Sequence, residues 1–347
     1  MNKIIFWSLT FIAAAFFAYL TSGTLAPFVI AFIFAYLLHP LIDNNAKKFH
    51  LPRSIVVLGI FIVFISSFVV GLMLLLPMIY RQIAAFIVKI PAYKDNFQEG
   101  VTYMLAKVDK VDPDIANKIT DSLQTLINSA FSIIAAAANN VWGYTLATIN
   151  FFAIIALVPI ILYYFLRDWP KMVNSVESIL PMKGKSKIGE IFSGINGLLS
   201  AYIRGQFNIC ILLSVYYVLG LSFIGLDLAL LLGLLAGFMV IIPFIGTFIS
   251  LSLALISCYF AYGWGAQLLY VLILFAVGYI SESYFLTPKI IGDRIGLHPV
   301  WIIFAVFAAG SVFGFVGIIF AIPLAGIIKL LLSYIIDYYK SSKIYKG

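Results

Sequence analysis

The amino-acid sequence predicts an all-α, polytopic membrane protein with about eight membrane segments. Three observations predict it. Hydrophobic residues make up 63% of the 347-residue chain and charged residues 10%, against about 45–50% and about 25% in a soluble domain. The mean hydropathy is +1.08, more apolar surface than a compact soluble interior can hide, so lipid must cover the rest. The apolar residues also fall in long unbroken runs, whereas a transmembrane β-barrel shows short alternating segments.

The runs cover about 4–20, 24–38, 55–78, 143–166, 207–225, 228–262, 265–286 and 299–336. A helix crosses a hydrocarbon core of about 30 Å with roughly 20 apolar residues. The first run, preceded by Lys3 and followed by Thr21-Ser22-Gly23, imitates a signal peptide. It is longer than the usual apolar region of such a peptide and a second span follows at once, so an uncleaved first span is expected.

Charge sets the expected orientation. With the N-terminus inside, the inside segments (Lys3, 39–54 and 167–204) hold ten basic and four acidic residues. The long outside segment 79–142 holds six of each. Short basic loops decide orientation, and these favour a cytoplasmic N-terminus. That also accounts for the formal charge of +8 without a nucleic-acid partner. Loop 287–298, with Lys289 and Arg294, and the tail, with Lys340, Lys343 and Lys346, should then both be cytoplasmic.

The run 299–336 between them must therefore cross an even number of times or re-enter. It is interrupted by Gly310, Gly314, Gly317 and Pro323. Run 228–262 has the same character, with breaks expected at Pro243 and Gly246. Two broken or re-entrant helical hairpins are expected. Laying Gly237–Pro243 beside Gly314–Ile319 suggests a structural repeat; Gly/Ile bias in membrane sequence is the plainer explanation. Paired Gly/Pro-interrupted segments point to a transporter binding site, because broken helices turn polar ends toward substrate.

Three regions follow: N-terminal membrane helices over 1–78, a small helical extracytoplasmic extension over 79–142, and a C-terminal membrane transport region over 143–347. In the extension, Ile115, Ile119, Leu123, Leu126, Ile127 and Ala130 share a helical face, and Asp112-Pro113 reads as a helix start rather than a metal site. In 168–204, Ile188, Ile191, Phe192, Ile195, Leu198 and Leu199 form an apolar stripe suited to an interfacial helix.

Enzyme chemistry has no visible footing. His39, His50 and His298 are the only histidines, and no zinc-binding H-E-x-x-H pair or G-x-S-x-G elbow exists. Gly184-Lys185-Ser186 imitates the end of a phosphate loop, but Ile179 stands where that loop requires glycine. Direct use of ATP is not expected, and neither a metal nor a cofactor. Cys210 and Cys258 lie in apolar runs and read as small core residues.

Glu282, between Ser281 and Ser283 in the run 265–286, is the informative polar residue. Acids within spans are costly, at about 2.5–3.5 kcal/mol at the helix centre, and normally face protein or water. Glu282 is a proton, cation or substrate group, or else an interfacial acid paired with Lys289 or Arg294. Pro288, Gly292 and Pro299 are expected to interrupt the helix downstream, where Asp293 and Arg294 close a short gate or sit in a plain loop. Arg204, beside Tyr202, Gly205 and Gln206, is an interfacial anchor, or else an anion-binding or gating group of the transport site near the hairpins; Lys329 can snorkel and is given no role.

These residues resemble the autoinducer-2 exporter family of PerM-type permeases. The resemblance covers most of the chain. It runs through Pro27, Ala35-Tyr36-Leu37-Leu38-His39-Pro40, Tyr202, Gly205-Gln206, Gly233, Gly237 and Ile242-Pro243-Phe244-Ile245-Gly246. It continues through Glu282, Pro288, Gly292, Leu297-His298-Pro299, Gly310, Gly314, Gly317, Ile322-Pro323 and Lys329. One departure stands out: the family often carries Gln one turn before the acid, where this chain has Gly278. The resemblance implies about eight membrane segments, a bacterial inner membrane and homo-oligomers. Family members are associated with autoinducer-2 export and with sodium/proton exchange.

The expected function is secondary transport of a small molecule or ion across the inner membrane, with both termini cytoplasmic. The hairpins and the 282–299 stretch would enclose the site. The competing expectation is a scaffold that recruits a partner through 79–142.

Overall fold

The computed structural model describes residues 26–107, 122, 125, 129, 145–179, 185–291, 296–341 and 345. Every regular element among them is helical. The first apolar run, most of the 79–142 extension beyond Lys107, and Asp293 and Arg294 lie outside the described residues.

The helices are α1 (Ala26–Phe49), α2 (Arg53–Lys107), α3 (Thr145–Ile179), α4 (Lys185–Ile224), α5 (Ala229–Met239), α6 (Ile245–Tyr262) and α7 (Ala266–Ile280). A π-helical turn, Ser281–Leu286, leads into α8 (Thr287–Ile290), and α9 spans Pro299–Ser341. Six stretches among the described residues are long and apolar enough to cross a membrane: Ala26–Phe49, Arg53–Lys89, Gly189–Ile224, Ile245–Tyr262, Ala266–Ile290 and Val316–Ser341. Two shorter apolar helices, Ala229–Met239 and Pro299–Gly314, accompany them. The stripe from Ile188 to Leu199, expected to suit an interfacial helix, lies in the first half of α4.

The chain forms two compact units. The first comprises Met1–Ser67, Phe151–Phe207 and Thr287–Gly347, the second Phe68–Asn150 and Asn208–Leu286. The first has a core of Ala31, Ala35, Leu38 and Ile42 from α1, Val56 and Val57 from α2, and Leu162 and Leu166 from α3. In the second, α6 packs on both α5 and α7.

Both late runs are interrupted by a sharp bend. Between α5 and α6 the reversal is built on Pro243-Phe244-Ile245. Phe244 has φ 63° and ψ −54°, and the Ile245 N–H donates to the Pro243 carbonyl at 2.7 Å. That is the rarer, strained γ-turn, with a bulky residue at positive φ. Gly246 follows immediately, and a Cβ there would overlap the Met239 carbonyl.

In α9 the reversal is at Gly314, φ 60° and ψ −141°, a conformation that glycine adopts without a Cβ penalty. A Cβ on Gly317 would overlap the Ala309 carbonyl, eight residues earlier. In a straight helix those positions are about 12 Å apart. The segment is therefore two helices folded on one another, and Gly310 lies in the close approach, against Ile318.

Several expected helix breaks are corrected. Pro288 does not interrupt the helix: the π-helical turn upstream carries the irregularity, and the helix ends at Ile290. A proline lacks the N–H of a regular ladder and its ring crowds the carbonyl four residues before it; the wider turn just upstream accommodates both defects. Pro299 begins α9, the position where proline costs least. Pro323 sits inside the second arm, and Gly310 and Gly317 are close-approach positions rather than breaks. The pairing of Gly237 with Gly314 is not matched by their backbone conformations. Gly237 lies in mid-helix against Ser214, so it does not match Gly314, which takes positive φ.

Candidate functional site: an acid in a π-helical turn

The second unit is held together by close helix approaches. On one face of α4, a Cβ at Gly233 would meet the Val218 backbone and one at Gly237 the Ser214 backbone, so α5 lies directly on α4. Small residues at such crossings replace the missing hydrophobic drive between helices in lipid. On another face, Tyr216 donates its hydroxyl to the Leu274 carbonyl at 2.9 Å, and Tyr217 stacks on Phe275 with centroids 4.6 Å apart. Ser214 on α4 and Ser250 on α6 are buried, and neither hydroxyl has a hydrogen-bond partner among the described residues.

Glu282 is the second residue of the π-helical turn and is half-buried. It is the only acidic residue between 228 and 291. Tyr217, 1% exposed, lies within Coulombic reach of its carboxylate. Gly278 makes this possible, because any Cβ at that position would overlap the Tyr217 hydroxyl. The space a side chain at 278 would fill is taken by a phenol from another helix. Single π turns occur often at functional sites, where they re-aim side chains and disturb the regular ladder.

The N-terminal end of the first hairpin is pinned from α2. Gln82 Oε1 accepts from the N–H groups of Leu230 and Leu231, at 3.2 and 3.3 Å. Lys89 pairs with Asp227 at 2.7 Å, and the Tyr262 hydroxyl donates to the Gly225 carbonyl at 2.7 Å. Gln82→Leu removes the acceptor for two helix-start donors. We expect a loss of roughly 1–3 kcal/mol, read as a lowered thermal midpoint in detergent.

In the first unit a polar cluster joins α1, α2, α3 and α4. Asp43 pairs with His39 at 3.2 Å and with Arg53. Arg53 also donates to the Leu166 carbonyl at 3.5 Å, and Arg204 donates through Nε to the Tyr36 carbonyl at 3.5 Å. Both carbonyls need an outside donor. Their helical partners, four residues on, would be Pro170 and Pro40, which have no N–H. The Tyr36 hydroxyl donates to Asn196 at 2.7 Å, and Trp169 packs against Tyr36 and His39. Just outside, the partly exposed Asp168 is hydrogen-bonded by Arg167 and paired with Lys171; the Arg167 guanidinium first, and then Lys171, hold its carboxyl below the usual range.

The predicted residues thus fall in different places. Glu282, Pro243 and Gly246 are in the second unit; Arg204, Pro288, Pro299 and the glycines of α9 are in the first. Asp293 and Arg294 lie outside the described residues. Tyr217, Gln82, Asp43 and Arg53 were missed by sequence reasoning. A signal existed for one pair: His39 and Asp43 stand four apart on one helix. Lys329 turns out to be engaged, donating to the Gly296 carbonyl at 2.6 Å. Among the described residues no cluster of three or more His, Cys, Asp or Glu could hold a metal.

Long apolar helices, with one acid set in a distorted turn, define a multi-pass α-helical membrane protein. The chain belongs to the AI-2E transporter family: the family described as "AI-2E family transporter" matches residues 4–337. Among its relatives, "Putative transport protein YueF" of Bacillus subtilis is 28% identical over 87% of this chain and 82% of its own length. "Putative transport protein YrrI" of the same organism is 27% identical over 88% of this chain and 85% of its own length. "Putative permease PerM" of Escherichia coli is 26% identical over 89% and 86%.

Proposed function

We propose that the chain is a secondary permease of the bacterial inner membrane, with cytoplasmic termini, in which Glu282 binds a proton, a cation or a polar group of the cargo. The observation that carries this reading is the placement of Glu282. It is the sole acid over more than sixty residues, set in a π-helical turn inside an otherwise apolar helix and beside a buried phenol. An acid there costs free energy and adds no visible salt bridge among the described residues, so a role beyond stability is the economical account. The hairpins supply irregular backbone of the kind tolerated at membrane depth only against protein or water. Eleven-residue α5 spans about 16 Å, roughly half a bilayer core, which favours a re-entrant first hairpin. The resemblance favours a homo-oligomer.

The test is a flux screen of the full chain in liposomes under imposed proton and sodium gradients, with small polar solutes including autoinducer-2. Saturable accumulation that collapses with one gradient is the expected result. Solute movement without saturation, or none under either gradient, would overturn the reading.

A further inference from the structure

The polar cluster of the first unit has cationic capacity that its own contacts do not consume. Arg204 spends Nε on the carbonyl that Pro40 leaves unpaired. Its two terminal amino groups, with four N–H donors, have no hydrogen-bond or carboxylate partner among the described residues. Arg53 and Arg204 both lie within Coulombic reach of His39. Among the described residues the nearby acids are already taken: Asp43 by His39 and Arg53, Asp168 by Arg167 and Lys171. Arg53 Nε is buried with no acceptor. Asn196 accepts from Tyr36 and keeps its amide N–H groups as donors.

A half-buried guanidinium with no carboxylate partner among the described residues is costly, and a planar fork of donors matches phosphate geometry. The depth is informative too. Twenty residues of α4 separate Arg204 from Ile224, about 30 Å of helix and about the thickness of a hydrocarbon core. With Ile224 at one boundary, Arg204 reaches the other, where it holds the Tyr36 carbonyl and Tyr36 packs on Trp169, a pair of aromatics such as line the interface. The positive-inside reading makes that the cytoplasmic leaflet, which carries anionic lipid.

We propose that Arg204, Arg53, His39 and Asn196 form a binding site for a phosphate group, supplied by the headgroup of an anionic phospholipid at the cytoplasmic boundary. The site is independent of Glu282 and of transport, and it gives a role to an arginine that the transport reading leaves idle.

Native mass spectrometry of the full chain in detergent tests it, with dioleoylphosphatidylglycerol and dioleoylphosphatidylcholine as probes and inorganic phosphate in a separate arm. Wild type is expected to retain the glycerol lipid in clear preference to the choline lipid. Arg204→Gln should weaken that retention by roughly tenfold to a hundredfold, the loss of one charge-assisted contact. Circular dichroism checks the fold of the variant. Should it fail to fold, Asn196→Leu removes two amide donors while leaving every charge in place, and a severalfold loss is expected there. Inorganic phosphate that broadens in 31P resonance with wild type but not with the variant, without lipid preference, would assign the same site to a free phosphate. Equal retention of both lipids with no phosphate effect overturns the proposal, as does a folded variant with undiminished preference.

Discussion

Glu282→Gln is expected to reduce gradient-coupled flux in proteoliposomes to the level of empty vesicles while leaving the fold intact. Glutamine has nearly the same shape and can hydrogen-bond, but it carries no charge and exchanges no proton at physiological pH. No neighbour can substitute, because residues 228–291 hold no other acid and Asp227 is already paired with Lys89. Removing a carboxylate from an apolar helix also lowers its insertion cost, so the thermal midpoint should be unchanged or slightly higher. Lost flux with an undisturbed midpoint would separate a cargo role from a structural one. Undiminished flux would remove Glu282 from the mechanism.

The largest effect on stability is expected at Gly237→Ala. The added methyl group would overlap the Ser214 backbone and hydroxyl on α4, atoms that move only if the two helices separate. Overpacking of this kind costs roughly 1–3 kcal/mol, more when the obstacle is backbone. The thermal midpoint in detergent should fall by several degrees or more. Gly71→Ala is the control: nothing lies within 4 Å of a Cβ there, so helix propensity alone acts, with a gain of up to about 1 kcal/mol. Equal midpoints for the two variants would mean that the α4–α5 approach is looser than described.

Helix class was written in the hydropathy of the chain, since long apolar runs have one stable outcome in lipid. An interruption of 299–336 was legible from its glycines and proline, which a straight apolar span would not carry. Which of its glycines turns the chain was not legible. Gly310, Gly314 and Gly317 look alike in sequence, but only Gly314 takes positive φ, and the other two lie in the close approach around it. Pro288 misled because its effect is expressed upstream, in the π-helical turn, rather than as a stop. The candidate site was half visible. Glu282 stands out as a rare acid, whereas Tyr217 is one tyrosine among 20, and its position beside the acid depends on a pairing of helices 65 residues apart. Gly278 looked like a missing polar group; its lack of a side chain is what admits the phenol.

The two reversals differ in a way that bears on how the protein could move. Glycine at 314 occupies its backbone conformation at little intrinsic expense, so unbending that arm gains nothing from the residue itself. Phenylalanine at 244 is held by its surroundings in a basin it would leave if released, at an intrinsic cost of order 1–3 kcal/mol. The earlier hairpin is thus cocked like a spring and the later one hangs like a slack joint. Any conformational cycle that opens both would draw recoil from only one of them.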